Sequence, residues 1–178
     1  MNEKKLIRYR LPVSVKFPAT HPRKGCRTWF DDKIELALNK FEACHVVDHH
    51  NKESVDIWPK LHTIRGNYTL WTERFEKINK GEAVLELYYW DGKPYGKGVK
   101  QITICQLGKD DGIGIQCLDF LNGNFSDPVA FDSKSKVHLT REQLAKNDGL
   151  SLDDFTAWFK GFDLSETMAI IHFTPFRY

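Results

Sequence analysis

Four cysteines in 178 residues, at positions 26, 44, 105 and 117, form no C-x-x-C pair, so the sequence offers neither a zinc ribbon nor a dithiol redox motif. Cys105 and Cys117 stand among strand-forming apolar residues and read as small core side chains. No apolar run approaches the roughly 20 residues that a helix needs to cross a bilayer, so no membrane partner is expected. The start of the chain, Met1 to Leu6, has no apolar stretch of the signal-peptide kind; with the scattered cysteines this points to a reduced, cytoplasmic setting. An excess of one charge is missing too. Against 26 Lys and Arg stand 24 Asp and Glu, a net of +2, which excludes coating of nucleic acid by bulk charge but leaves room for a local basic patch. There is no internal repeat, low-complexity tract or linker. The length fits one domain, residues 1–178, and 41% hydrophobic residues are enough for a core.

Periodicity sorts the chain into short elements. Val13 and Val15 alternate with Ser14 and Lys16, predicting a strand over 11–17 that is entered by Pro12 and ended by Pro18. A polar loop containing His21, Arg23 and Lys24 follows. Asp31 or Asp32 is placed to cap a helix with the apolar stripe Ile34, Leu38 and Phe41. Residues 42–56 have weak periodicity and read as a loop or insertion. After a strand over 60–65, Leu70, Trp71, Phe75 and Ile78 recur at helical spacing over 68–80, with Gly81 as the stop. Strands are expected over 83–90, 99–107 and 113–120, with a short extended piece near 128–131. Thr140 with Gln143 makes a capping box for a helix that Gly149 stops. Ser151 with Asp154 opens another through Phe155, Trp158 and Phe159, and a strand over 168–173 closes the pattern. The close succession of 83–90, 99–107 and 113–120 favours an antiparallel meander or small barrel within an α+β fold.

The chemistry concentrates in Lys60-Leu61-His62-Thr63-Ile64-Arg65. Alternation places Leu61, Thr63 and Arg65 on one face of a strand and His62 and Ile64 on the other. A hydroxyl and a guanidinium on a shared face suit the wall of a polar cleft; the alternative is a solvated face with Arg65 in a surface ion pair. Strict alternation separates Lys60 from Thr63. The two converge only if Lys60 precedes the regular strand, which Pro59 favours. His45, His49 and His50 lack a matching set of ligands, so no metal is expected, and Gly112 with Gly114 lacks the following helix of a phosphate loop, so no cofactor is expected either.

These residues resemble the K-x-x-T-x-R signature of the ASCH domain, a branch of the PUA-like superfamily. Gly81-Glu82-Ala83-Val84-Leu85 is similar to that family's Gly-led strand. Asn147-Asp148-Gly149-Leu150 with the following Ser151-Leu152-Asp153-Asp154-Phe155 is similar to its late corner and helix, and Ala169-Ile170-Ile171-His172-Phe173 to its closing strand. The resemblance covers about 58–173, leaving 1–57 as an N-terminal extension and insertion. It reaches a subgroup through Phe17-Pro18-Ala19-Thr20-His21-Pro22-Arg23-Lys24-Gly25 and Trp90-Asp91-Gly92-Lys93-Pro94-Tyr95. It implies a PUA-like, partly closed antiparallel β-barrel with peripheral helices.

The first functional expectation is a module that binds RNA or a nucleotide-like ligand in the cleft of Lys60, Thr63 and Arg65. Lys60 and Arg65 would meet phosphate, with Arg23, Lys24, Lys93, Lys97 and Lys100 along the rim and His21 at the mouth. Trp90 and Tyr95 flank a turn and suit base stacking, as does Tyr68, whereas Trp71 lies on the helix stripe and reads as core. The second is implied by a branch of small amidohydrolases that deacylate N4-acylated cytidine. There the catalytic lysine and threonine fall on Lys60 and Thr63, and the acid on Asp148, where that branch has a glutamate. A threonine needs a base, a lysine serves as one only when neutral, and burial beside Arg65 would favour that state. Asp148 would orient Lys60 or pass a proton to the leaving amine. The third expectation is a protein-interaction module of a mobile element or stress system that leaves the cleft unused.

Overall fold

The strands sort into three sheets, none closed into a barrel among the described residues. The computed structural model describes residues 6–47 and 54–178. Its elements run β1 (Ile7–Pro12), α1 (Phe30–Leu38), β2 (Cys44–Val47), β3 (Ser54–Ile57), β4 (His62–Arg65), α2 (Tyr68–Asn79) and β5 (Ala83–Trp90). They continue with β6 (Gln101–Leu107), β7 (Gly114–Phe120), β8 (Pro128–Phe131), β9 (Lys136–His138), α3 (Arg141–Asn147), α4 (Leu152–Phe159) and β10 (Met168–His172). One sheet has the order β1-β5-β6, a second β4-β10-β7-β8-β9, and β2 with β3 forms a hairpin.

The mixed α+β class agrees with the sequence reading; the open sheets are compatible with the expected partly closed antiparallel barrel, but no sheet closes among the described residues and one strand pair is parallel. β1 runs parallel to β5, setting Leu11 against Leu87. The three strands expected to form a meander divide between sheets: β6 pairs with β5, while β7 lies between β10 and β8. A short apolar run does not specify its neighbour, and the turn between them re-aims the chain, with Gly112 at φ 73° and Asp111 accepting from the Gly108 amide at 2.6 Å. The first strand spans 7–12 rather than 11–17. Beyond Pro12 the alternation continues, but it pairs with the returning loop, through the Lys16–Arg27 bridge and the Thr28 amide on the Val15 carbonyl. Residues 7–12 therefore belong to a main sheet rather than to an appendage.

Neither Asp31 nor Asp32 caps α1. Trp29 holds the N-cap in the left-handed region at φ 62°, and both carboxylates bind Arg27, at 3.0 and 2.7 Å. The helix ends at Leu38, so Phe41 leaves the apolar stripe and is exposed. The expected loop over 42–56 contains the β2–β3 hairpin; His49 and His50 lie outside the described residues. β9 was not legible. By contrast β5 matches its expected bounds, the Thr140–Gln143 capping box forms and Ser151 caps α4.

The core lies between the two larger sheets and their helices. Trp71, Phe75 and Ile78 of α2 are buried, together with Leu85, Leu118, Phe155, Ile170 and Phe173. Burying an aliphatic or phenyl side chain of this size contributes about 1.5–3 kcal/mol. The consequence for function is rigidity: β4 is pinned against β10 from Arg65–Ala169 to His62–His172.

Candidate functional site

Regular pairing in β4 starts at His62, and the two residues before it are held elsewhere. The Lys60 amide donates to the Lys33 carbonyl of α1 at 2.9 Å, and the Leu61 amide to the Asn147 carbonyl at the end of α3 at 2.8 Å. These bonds take Lys60 out of the strand's alternation, so that it shares a cavity with Thr63, Arg65 and Asp148. Val13, Ser14, Phe30, Ile64, Trp158 and Phe159 complete the walls. The N-terminal segment and α4 thus cover the cleft. The cavity volume is about 20 Å³, space for about one water.

Lys60 is 2% exposed. Its Nζ donates to the Asp148 carbonyl and to Asp148 Oδ1, both at 2.6 Å, and lies 4.1 Å from the centre of the Phe30 ring. Burial, assisted by the Arg65 charge and opposed by Asp148, brings its pKa down to about 8. Burial alone would raise the Asp148 carboxyl; the Lys60 charge and His62 outweigh it and hold the carboxyl below its ordinary value. Arg65 donates to Thr63 Oγ1 at 2.7 Å, to the Ile64 carbonyl at 2.8 Å and to the Pro12 carbonyl at 2.9 Å. The guanidinium is therefore fixed by the fold and pointed at the hydroxyl.

Two participants escaped the sequence reading. Lys33, itself buried, donates to the Gly149 carbonyl at 2.6 Å and sits 4.6 Å from the Trp58 ring; burial and the Lys60 charge pull its pKa to about 8. Its signal was available: with Phe30, Ile34 and Ala37 it falls on the buried stripe of α1. His62, with no exposed surface, lies 2.8 Å by Nε2 from the Tyr178 hydroxyl and 3.7 Å by Nδ1 from Asp148 Oδ1. Gly149, at φ 75°, completes the corner. A Cβ there would stand 3.1 Å from Lys60 Cβ and 3.3 Å from Lys33 Cδ.

The expected rim residues divide. His21 is buried, bonded by Nε2 to the Asp154 carbonyl at 3.1 Å, and Arg23 pairs with the Asp154 carboxylate at 2.7 Å. They tie their loop to α4, which supplies the Trp158 and Phe159 walls, and Lys24 is exposed. Trp90, Lys93, Tyr95, Lys97 and Lys100 do not line the cavity. They lie at and beyond the end of β5, where Tyr95 is 88% exposed and its ring centre is 5.0 Å from that of Trp90. Trp71 is buried, as its place on the helix stripe implied. Among the described residues no group of His, Cys, Asp and Glu could hold a metal, and no helix is long and apolar enough to cross a membrane. Comparison with protein families, curated proteins and solved structures finds no match to this chain.

Proposed function

We propose that the protein hydrolyses the amide of a small N-acylated substrate of the acylated-cytidine type, with Thr63 as nucleophile and Lys60 as its general base. The observation that carries this reading is the meeting of Lys60, Thr63 and Asp148 on one nearly closed cavity, with Lys60 buried and its pKa pulled to about 8. A base with that pKa is about one-tenth neutral at pH 7, whereas an ordinary lysine is almost wholly charged. Neutral Lys60 takes the Thr63 proton as Oγ1 attacks the acyl carbon. The ammonium so formed returns the proton to the leaving amine as the C–N bond breaks. Water then hydrolyses the acyl–threonine ester, with Lys60 again as base. Arg65, already bonded to Thr63 Oγ1, places positive charge beside the carbonyl oxygen that becomes an oxyanion. A water-sized cavity admits the reacting group only when side chains of its wall move; exposed Ser14 and half-buried Arg65 and Trp158 are the parts of that wall that reach the surface.

The same geometry weighs against phosphate binding in the cleft, because Lys60 is enclosed and Arg65 is committed to Thr63 and two carbonyls. Exposed Tyr95 against half-buried Trp90, with Lys93 and Lys97, favours a second reading, single-stranded RNA held on that turn. One experiment separates the two. Purified protein is incubated with a panel of N4-acylated cytidines, and free cytidine is followed by chromatography, alongside Lys60→Ala and Thr63→Ala with their fold checked by circular dichroism. Release that both folded variants lose is the expected result. No release by folded wild type, together with salt-sensitive RNA affinity that Tyr95→Ala abolishes, would replace the first reading by the second.

A further inference from the structure

His62 is a buried group beside the site that the proposed reaction leaves without a task. Behind Asp148 a chain of side chains crosses the second sheet. Asn147 Nδ2 donates to the Tyr178 hydroxyl at 3.0 Å, and that hydroxyl lies 2.8 Å from His62 Nε2. His62 Nδ1 has no partner within hydrogen-bond distance; its nearest acidic atom is Asp148 Oδ1 at 3.7 Å. A buried imidazole nitrogen left unpartnered is costly and calls for a reason.

The tautomer follows from counting protons. The Tyr178 hydroxyl already accepts from Asn147, so its single proton has two destinations: His62 Nε2 at 2.8 Å or the Gln143 carbonyl at 3.5 Å. The nearer one makes Nε2 an acceptor and leaves the ring proton on Nδ1. The opposite assignment would aim an imidazole lone pair at the Asp148 carboxylate with no proton between them. The other ionisable groups facing His62 support a neutral ring. His172 of β10 stands 5.6 Å away between ring centres, and burial, opposed by Asp148 and assisted by the Lys60 charge, lowers the pKa of His62.

We infer that His62 is a positioning residue for Asp148: Tyr178 fixes it as the Nδ1–H tautomer, and that N–H takes over Asp148 Oδ1 when Lys60 turns from the carboxylate to Thr63. Lys60 and His62 compete for one oxygen, at 2.6 and 3.7 Å. When the neutral Lys60 amine turns away, a carboxylate without a second donor would be buried and unpaired; a small rotation of either group supplies the donor. The tautomer stands on geometry alone, and the hand-over rests on the proposed reaction.

The tautomer is read by NMR of protein labelled with ¹⁵N-histidine, without substrate. A protonated Nδ1 and a bare, pyridine-type Nε2 on His62 are expected, and Tyr178→Phe, which removes the phenol proton, should disturb that pattern. A protonated Nε2, in a neutral or a charged ring, overturns the inference whatever the enzyme assay shows. The hand-over is read by two variants. His62→Asn keeps a donor near the Nδ1 position, and His62→Gln places its amide near Nε2. The asparagine enzyme should exceed the glutamine enzyme in kcat by roughly tenfold or more, the loss usual for an outer partner of a reacting group. Equal rates, or a faster glutamine variant, would assign His62 a packing role only, since glutamine is closer in volume to histidine.

Discussion

Replacing Asp148 by asparagine should cost stability in a manner set by the charge of Lys60, and the pH dependence can be worked out beforehand. In the wild type Lys60 keeps its proton up to about pH 8, because the carboxylate 2.6 Å away offsets part of the burial. The amide of an Asp148→Asn variant can still accept a hydrogen bond but brings no charge, so Lys60 in the folded variant loses its proton at lower pH while the unfolded chain keeps it up to about 10.5. Below pH 8 the unfolded variant thus binds a proton that the folded variant does not. Linkage then destabilises the variant relative to wild type by about 1.4 kcal/mol for each pH unit below 8. The difference should be smallest at pH 9, where Lys60 is mostly neutral in both proteins and the wild type bears the cost of a buried carboxylate that has lost its charged partner. It should grow by about 1.4 kcal/mol at pH 7 and about 4 kcal/mol at pH 5, levelling at the 3–5 kcal/mol typical of a broken buried pair. Urea denaturation of both proteins at pH 5, 7 and 9 measures this directly, and groups common to both proteins cancel in the difference. A difference that stays flat from pH 5 to 9 would refute the argument, because Lys60 would then not be charged through Asp148.

If neutral Lys60 is the base, kcat/KM for amide release should climb with pH and level off above about 8; a profile that falls across pH 6–8 would remove Lys60 from that role. Wild-type stability should climb between about pH 8 and 9, because Lys33 and Lys60, depressed from 10.5 to about 8 in the fold, take up protons on unfolding. Above pH 9 the sign reverses for Cys105 and Cys117, raised by burial from 9.0 to about 11 and about 12, and then for Tyr178, raised above 10.0, so the curve should flatten and fall; chemical denaturation across pH 7–11 traces it. Gly149→Ala should lower stability by about 1–2 kcal/mol from its left-handed backbone alone. It should reduce hydrolysis as well, since the new methyl stands 3.1 Å from Lys60 Cβ; thermal melting and turnover on the same sample test both.

Legibility in the sequence followed how local each determinant is. The capping box at Thr140, the Ser151 cap, the α2 stripe and the whole of β5 rest on contacts a few residues apart, and the pattern specifies them. Sheet membership rests on partners far along the chain. β1 finds β5 some 76 residues on, and nothing in either run of alternating residues distinguishes a parallel from an antiparallel neighbour. The same limit governs the cleft. Alternation put Lys60 and Thr63 on opposite faces, and what reunites them is two backbone bonds from Lys60 and Leu61 to α1 and to the end of α3.

The candidate site therefore depends on a corner rather than on a strand. Lys33 and Lys60 donate to the consecutive carbonyls of Gly149 and Asp148, each at 2.6 Å, and the backbone of Lys60 hangs from that of Lys33. Two neighbouring enclosed ammonium groups, of which Lys60 alone pairs with the Asp148 carboxylate, are unfavourable as a stability device, since burial disfavours each charge and they repel one another. A hydrophobic residue at 33 would continue the apolar stripe of α1 at lower cost. What the lysine adds is a donor for the Gly149 carbonyl, which fixes the Gly149–Leu150 peptide directly after the Asp148 carbonyl that Lys60 binds. Strain of this kind, confined to one wall of one cavity, is the pattern of a site in which placement of a proton outweighs stability.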